Sequence, residues 1–98
     1  MLILRKEPGK APEVKQVKNE LKALQNEVGG YIEVVTQMQE GVAVICDEEG
    51  RLNNKPYNMT LGGVSCVGTI LIVGVDGEEF CSLKPEQLNR WMKGLMHG

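Results

Sequence analysis

Two short, almost wholly apolar runs constrain this chain most: Val42 to Cys46, and Val67 to Val75 with Ile70-Leu71-Ile72-Val73 at its centre. Both are rich in β-branched residues and too short for buried helices, so they read as strands. The first is apolar at every position and reads as a central strand. Asp76-Gly77 follows the second and marks a hairpin, because a type I′ turn needs positive φ at both central positions. Glu79 to Leu83 is then its return strand.

The remaining elements fall around these runs. Met1 to Arg5 is an apolar start that reads as an edge strand, closed by the breaker Pro8-Gly9-Lys10-Ala11-Pro12. Val14, Val17, Leu21, Leu24 and Val28 step by three and four, so a helix is expected there, ended by Gly29-Gly30. Tyr31 to Met38 alternates as a strand, with Ile32, Val34 and Met38 on one face and Tyr31, Glu33, Val35 and Gln37 on the other. Gln39-Glu40-Gly41 is a turn. Asp47-Glu48-Glu49-Gly50 is a second turn with Gly50 left-handed, and Arg51-Leu52-Asn53 starts a return strand. Asn54 to Ser65 is the least regular stretch. Pro85 and Glu86 open a last helix whose stripe is Leu88, Trp91, Met92, Leu95 and Met96. The expected fold is α+β, in the order β-α-β-β-β-β-β-α. It has a mainly antiparallel sheet of five to six strands and two amphipathic helices on one of its faces.

Size and charge narrow the class. The 98 residues make one domain, 1–98, with 42% hydrophobic and 24% charged residues, as in an ordinary globular protein. The net charge of -2 lacks the basic footprint of a nucleic-acid binder. The early cations Arg5, Lys6, Lys10, Lys15, Lys18 and Lys22 read mainly as the solvated face of the first helix. Leu2-Ile3-Leu4 is cut off by Arg5-Lys6-Glu7, too short for a leader, and no apolar run reaches a membrane span. A cytoplasmic protein with no membrane partner is expected. Cys46, Cys66 and Cys81 lack a C-x-x-C pair, and the sole histidine is His97, so neither a zinc site nor a disulfide is expected. The thiols read as buried small hydrophobes.

The chemistry-bearing patterns are few. Asp47, Glu48 and Glu49 do not follow calcium-loop spacing and read as a solvated turn. No Ser-His or Cys-His pairing is available to activate a nucleophile. Gly29-Gly30 joins helix to strand, the reverse of a phosphate cradle, and Gly62-Gly63 precedes a strand. No catalytic residue, metal ligand or cofactor is expected, and the chain reads as a binding protein rather than an enzyme. The candidate ligand-binding residues are Lys10, Tyr31, Glu33, Arg51, Asn53 and Asn58. Tyrosine can stack on a base, asparagine can read an amide edge, and lysine or arginine can meet a phosphate. The alternative is a polar outer sheet face with turn-forming asparagines.

Several segments, in this order and spacing, resemble a family of small domains of unknown function, widespread in Firmicutes and common on phages and conjugative elements. They are Glu7-Pro8-Gly9-Lys10 with Pro12, Leu21 to Tyr31 running on to Val35, and Ile45 to Asn53. Pro56 and Asn58 follow, then Val67-Gly68-Thr69, Ile72-Val73-Gly74, and Glu79-Phe80-Cys81-Ser82-Leu83. The chain departs from that pattern between Asn58 and Val67, where Met59 and a glycine-rich bridge replace a longer, more charged segment. The resemblance implies an accessory protein acting against host defence. The expectation is sequestration of a small nucleotide immune signal; the alternative is an inhibitor or adaptor docking on a host protein. Self-association into a homo-oligomer is also expected, because a small sheet with both helices on one face would leave apolar residues such as Val35 wet on the other.

Overall fold

The computed structural model describes residues 1–38 and 41–97, without the side chains of 36–38 and 97. Its elements are β1 (Leu2–Lys6), β2 (Glu13–Gln16), α1 (Leu21–Val28), β3 (Ile32–Met38), β4 (Val42–Asp47), β5 (Tyr57–Leu61), β6 (Val64–Val67), β7 (Ile70–Asp76), β8 (Glu79–Cys81) and α2 (Pro85–His97). The fold is α+β. Its main sheet is antiparallel throughout, in the order β2-β1-β7-β4-β3, with β8 also paired to β7. β5 and β6 form a separate hairpin. The turn expected at Gln39-Glu40 lies outside the described residues.

The apolar runs occupy the middle. β4 is buried along its whole length and β7 over its first five residues. Val42, Val44, Cys46, Ile70 and Ile72 face one side and pack with Leu83, Leu95, Met59 and Cys66; Leu88, Trp91 and Met92 of α2 close over them. Ala43, Ile45, Leu71 and Val73 face the other side and pack under Leu24 and Val28 of α1. The helices therefore take opposite faces, against the expectation that both lie on one. The period-2 alternation in two fully apolar strands requires cover on both sides. Val35, from which the bare face was argued, packs against the cluster on the α2 side.

Several local expectations change. Val14 does not join a helix: Glu13–Gln16 pairs with β1, so β1 is an inner strand and β2 the edge. Met1 and Val17 exchange backbone hydrogen bonds at 2.6 and 3.0 Å, extending that ladder. Only Lys22 of the early cations sits on α1, while Lys15 is on β2 and pairs with Glu27 of α1, which Arg5 of β1 also meets. Residues 51–54 form turns rather than a return strand, and the left-handed residue there is Asn54 (φ 56°), not Gly50. Strand pairing resumes at Tyr57, where Gly62 and Gly63 (φ 55° and 78°) supply the two positive φ values of a type I′ hairpin. At Asp76-Gly77 only Gly77 is left-handed, at the first central position, which is the type II′ pattern.

α1 ends where the sequence places its stop. Gly29 is left-handed (φ 80°), and the N–H groups of Gly29 and Gly30 both donate to the Gln25 carbonyl, at 2.8 and 3.2 Å. At the start of α2 the Gln87 side chain accepts from the Lys84 N–H at 2.8 Å, half of a capping box, and Glu86 sits in the first turn.

Candidate functional site

The C-terminal end of α1, the Gly29-Gly30 link and the loop after β4 enclose a cleft of about 450 Å³. Lys22, Gln25 and Asn26 line it from α1, since positions three and four apart share a helix face. Gly29, Gly30 and Tyr31 form its rim, and Asp47, Glu49 and Asn53 its opposite wall. Tyr31 leaves 66% of its surface exposed there.

Asp47 builds that wall. Its side chain is 2% exposed, Oδ1 accepts the Glu49 N–H at 2.9 Å, and Oδ2 forms an ion pair with Lys55 Nζ at 2.5 Å. Lys55 Nζ also donates to the Val28 carbonyl at 2.9 Å, placing a cation on the negative end of α1. Burial pushes the Asp47 carboxyl upward. The Lys55 contact and the Glu49 N–H outweigh it and hold the pKa below the ordinary carboxylate value. Gly30 belongs to the same construction, because a Cβ there would stand 2.7 Å from Asp47 Oδ1. The acidic turn thus divides: Glu48 and Glu49 are exposed as expected, while Asp47 is buried and paired.

The six sequence candidates are distributed over separate places. Tyr31 and Asn53 meet in the cleft. Glu33 and Arg51 line a smaller cavity of about 120 Å³ between β3 and the β5–β6 hairpin, where Arg51 donates to the Ser65 carbonyl at 2.6 Å. Lys10 lies at a third, pairing with Glu7 at 3.0 Å. Asn58 acts as a structural bracket. Its Nδ2 donates to the Lys6 and Gly68 carbonyls at 2.9 and 2.8 Å, and its Oδ1 accepts from Lys6 Nζ at 2.9 Å. Lys22, Gln25, Asn26 and Glu49 are not among the sequence candidates, Lys22 and Glu49 being read there only as solvated positions. The spacing of the first three before a Gly-Gly stop was the available signal.

Cys46 and Cys66 lie in one buried cluster, and burial drives the Cys46 thiol up to about 11. Such a thiol is a poor nucleophile at neutral pH. Among the described residues, no group of three or more His, Cys, Asp or Glu side chains could hold a metal ion. Among the described residues, no helix is long and apolar enough to cross a membrane.

No curated protein and no solved structure matches the chain. A family model described as a domain of unknown function (DUF3846) matches residues 1–96, and the chain belongs to that family.

Proposed function

We propose that the chain binds a small nucleotide-like ligand in the Tyr31 cleft without turning it over. In this reading it serves a phage or mobile element, a setting drawn from the family resemblance, by sequestering a nucleotide signal of host immunity. One observation carries the binding reading: an exposed tyrosine ring and three carboxamides, from Gln25, Asn26 and Asn53, converge on a single cleft. The ring offers a stacking face. Carboxamides can pair with the donor and acceptor edge of a base. The volume of about 450 Å³ falls within the range of small-molecule sites, roughly 300–1,000 Å³.

The charge distribution favours a ligand with few phosphates. Among the described residues, Lys22 is the one cation lining the cleft, while Glu49 and the C-terminal end of α1 are negative. A single phosphate suits Lys22, and ribose hydroxyls suit Glu49.

The test is to incubate purified protein with a mixture of mono- and dinucleotides and cyclic and ADP-ribose-type signals, wash, release by heat, and chromatograph. The expected result is one retained species returned intact, with at least a tenfold weaker affinity in Tyr31→Ala by calorimetry. Retention of nothing rejects the reading, and a released ligand that has been cleaved replaces sequestration by catalysis.

A further inference from the structure

A second cavity stands apart from the cleft and shares no lining residue with it. It measures about 310 Å³ and lies between the end of β1, the loop before β2 and the last turn of α2. Lys6 lines it with 8% of its surface exposed. A lysine this buried is ordinarily matched by an anion, because an ammonium out of water costs several kcal/mol when its charge is unbalanced, on the order of the desolvation penalty for any single ion. Among the described residues, Lys6 Nζ forms no ion pair. Its described partner is the neutral amide oxygen of Asn58 at 2.9 Å. That amide is fixed, since its nitrogen is committed to two backbone carbonyls. An ammonium carries three donors, and among the described residues one is used here.

The rest of the lining is consistent with an anion site. Lys10 adds a second ammonium, and its pairing with Glu7 is a surface contact, 71% and 36% exposed on its two sides, which is weak and exchangeable. Among the described residues, no carboxylate lines the cavity, and Ala11, Pro12, Leu95 and Met96 make its other side apolar. One end is therefore cationic and the other hydrocarbon.

We propose that this cavity binds a small organic anion, with a phosphate or carboxylate group between Lys6 and Lys10 and an apolar body against Pro12, Leu95 and Met96. The volume, at the low end for ligand sites, admits a compact molecule.

Calorimetry with phenyl phosphate, benzoate and inorganic phosphate tests this on the full chain. Phenyl phosphate or benzoate is expected to bind saturably, the tighter of the two identifying the head group, with inorganic phosphate at least tenfold weaker. Lys6→Met should weaken binding at least tenfold and Lys10→Ala several-fold, while Lys18→Met, an exposed lysine elsewhere, stays at the wild-type affinity. Because Lys6→Met also removes the Asn58 bond, its fold is checked by circular dichroism. Independently of any variant, the Leu95 and Met96 methyl resonances of the wild-type protein should shift on addition of the ligand. The proposal is overturned by no saturable binding, by inorganic phosphate binding as tightly as the organic anions, by Lys6→Met binding as wild type, or by methyl shifts that map elsewhere.

Discussion

Lys55 ties together three segments behind the cleft, two through its ammonium and one through its backbone. Its ammonium neutralises Asp47 at the end of β4 and donates to the Val28 carbonyl at the end of α1, and its backbone N–H closes the 48–54 loop onto the Gly50 carbonyl at 2.9 Å. Nothing in the sequence marks this pair. Positions 47 and 55 are eight apart across a loop, and Asp47 sits in an acidic run whose next two members are solvated. The coupling has an acid signature. A carboxyl held below its ordinary value stabilises the fold fully above 3.8, and that contribution drains as pH falls through the lowered value. Lys55→Met leaves Asp47 buried and uncompensated. Removing one partner of a buried pair costs about 3–5 kcal/mol, and the low end applies because Lys55 keeps 25% of its side chain exposed. Urea denaturation at pH 7 should show a loss on the order of 3 kcal/mol. In acid titration followed by circular dichroism the two proteins should converge, because protonation relieves the variant's unpaired carboxylate. A variant whose deficit is the same at pH 3 as at pH 7 would show that the ion pair is not the cause.

At the scale of elements, legibility followed how local the signal was. The apolar runs, the Gly29 stop and the α2 start were readable because each rests on neighbouring residues: burial period, left-handed glycine, proline and acid at a helix N-terminus. The start of α1 was not. Val14 and Val17 stand at helical spacing from Leu21, but the backbone of β1 offers Glu13–Gln16 a ladder of hydrogen bonds that helix propensity does not outweigh. The Gly62-Gly63 hairpin was missed for a different reason: its strands are short, and their apolar residues are spread among Asn58, Thr60 and Ser65. Two substitutions separate the readings of the first region. Leu24 is buried on the inner face of α1, so Leu24→Ala should cost about 2–5 kcal/mol. Val14 is half-exposed on an edge strand, so Val14→Ala should cost under about 1 kcal/mol. Equal losses in denaturant titrations would restore a helix running from Val14.

For the molecule as a whole, the placement of the two helices changes what its surface must do. With α1 on one face and α2 with the β5–β6 hairpin on the other, both sides of β4 and β7 are dry. The accessible surface is 5783 Å², close to the roughly 5,500 Å² expected of a folded monomer of this mass. The edges of the sheet are poor templates for pairing. β2 is a four-residue edge of Glu, Val, Lys and Gln, and β3 is interrupted by a bulge between Val34 and Thr36. Short charged edges and bulges both oppose strand addition. The large apolar side chains left exposed include Val14 on β2, Leu52 in the turn between β4 and β5, and Met96 on α2. Scattered exposed apolar side chains are normal on monomers and do not require a partner. The argument for association from an uncovered face is therefore gone, and the expected light-scattering mass at micromolar concentration is near 10.8 kDa. A mass near twice that value would show that a strand edge or the cleft rim is an interface. In that case Tyr31→Ala should return the protein to a monomer if the cleft rim is involved, and leave the dimer intact if the β2 edge is.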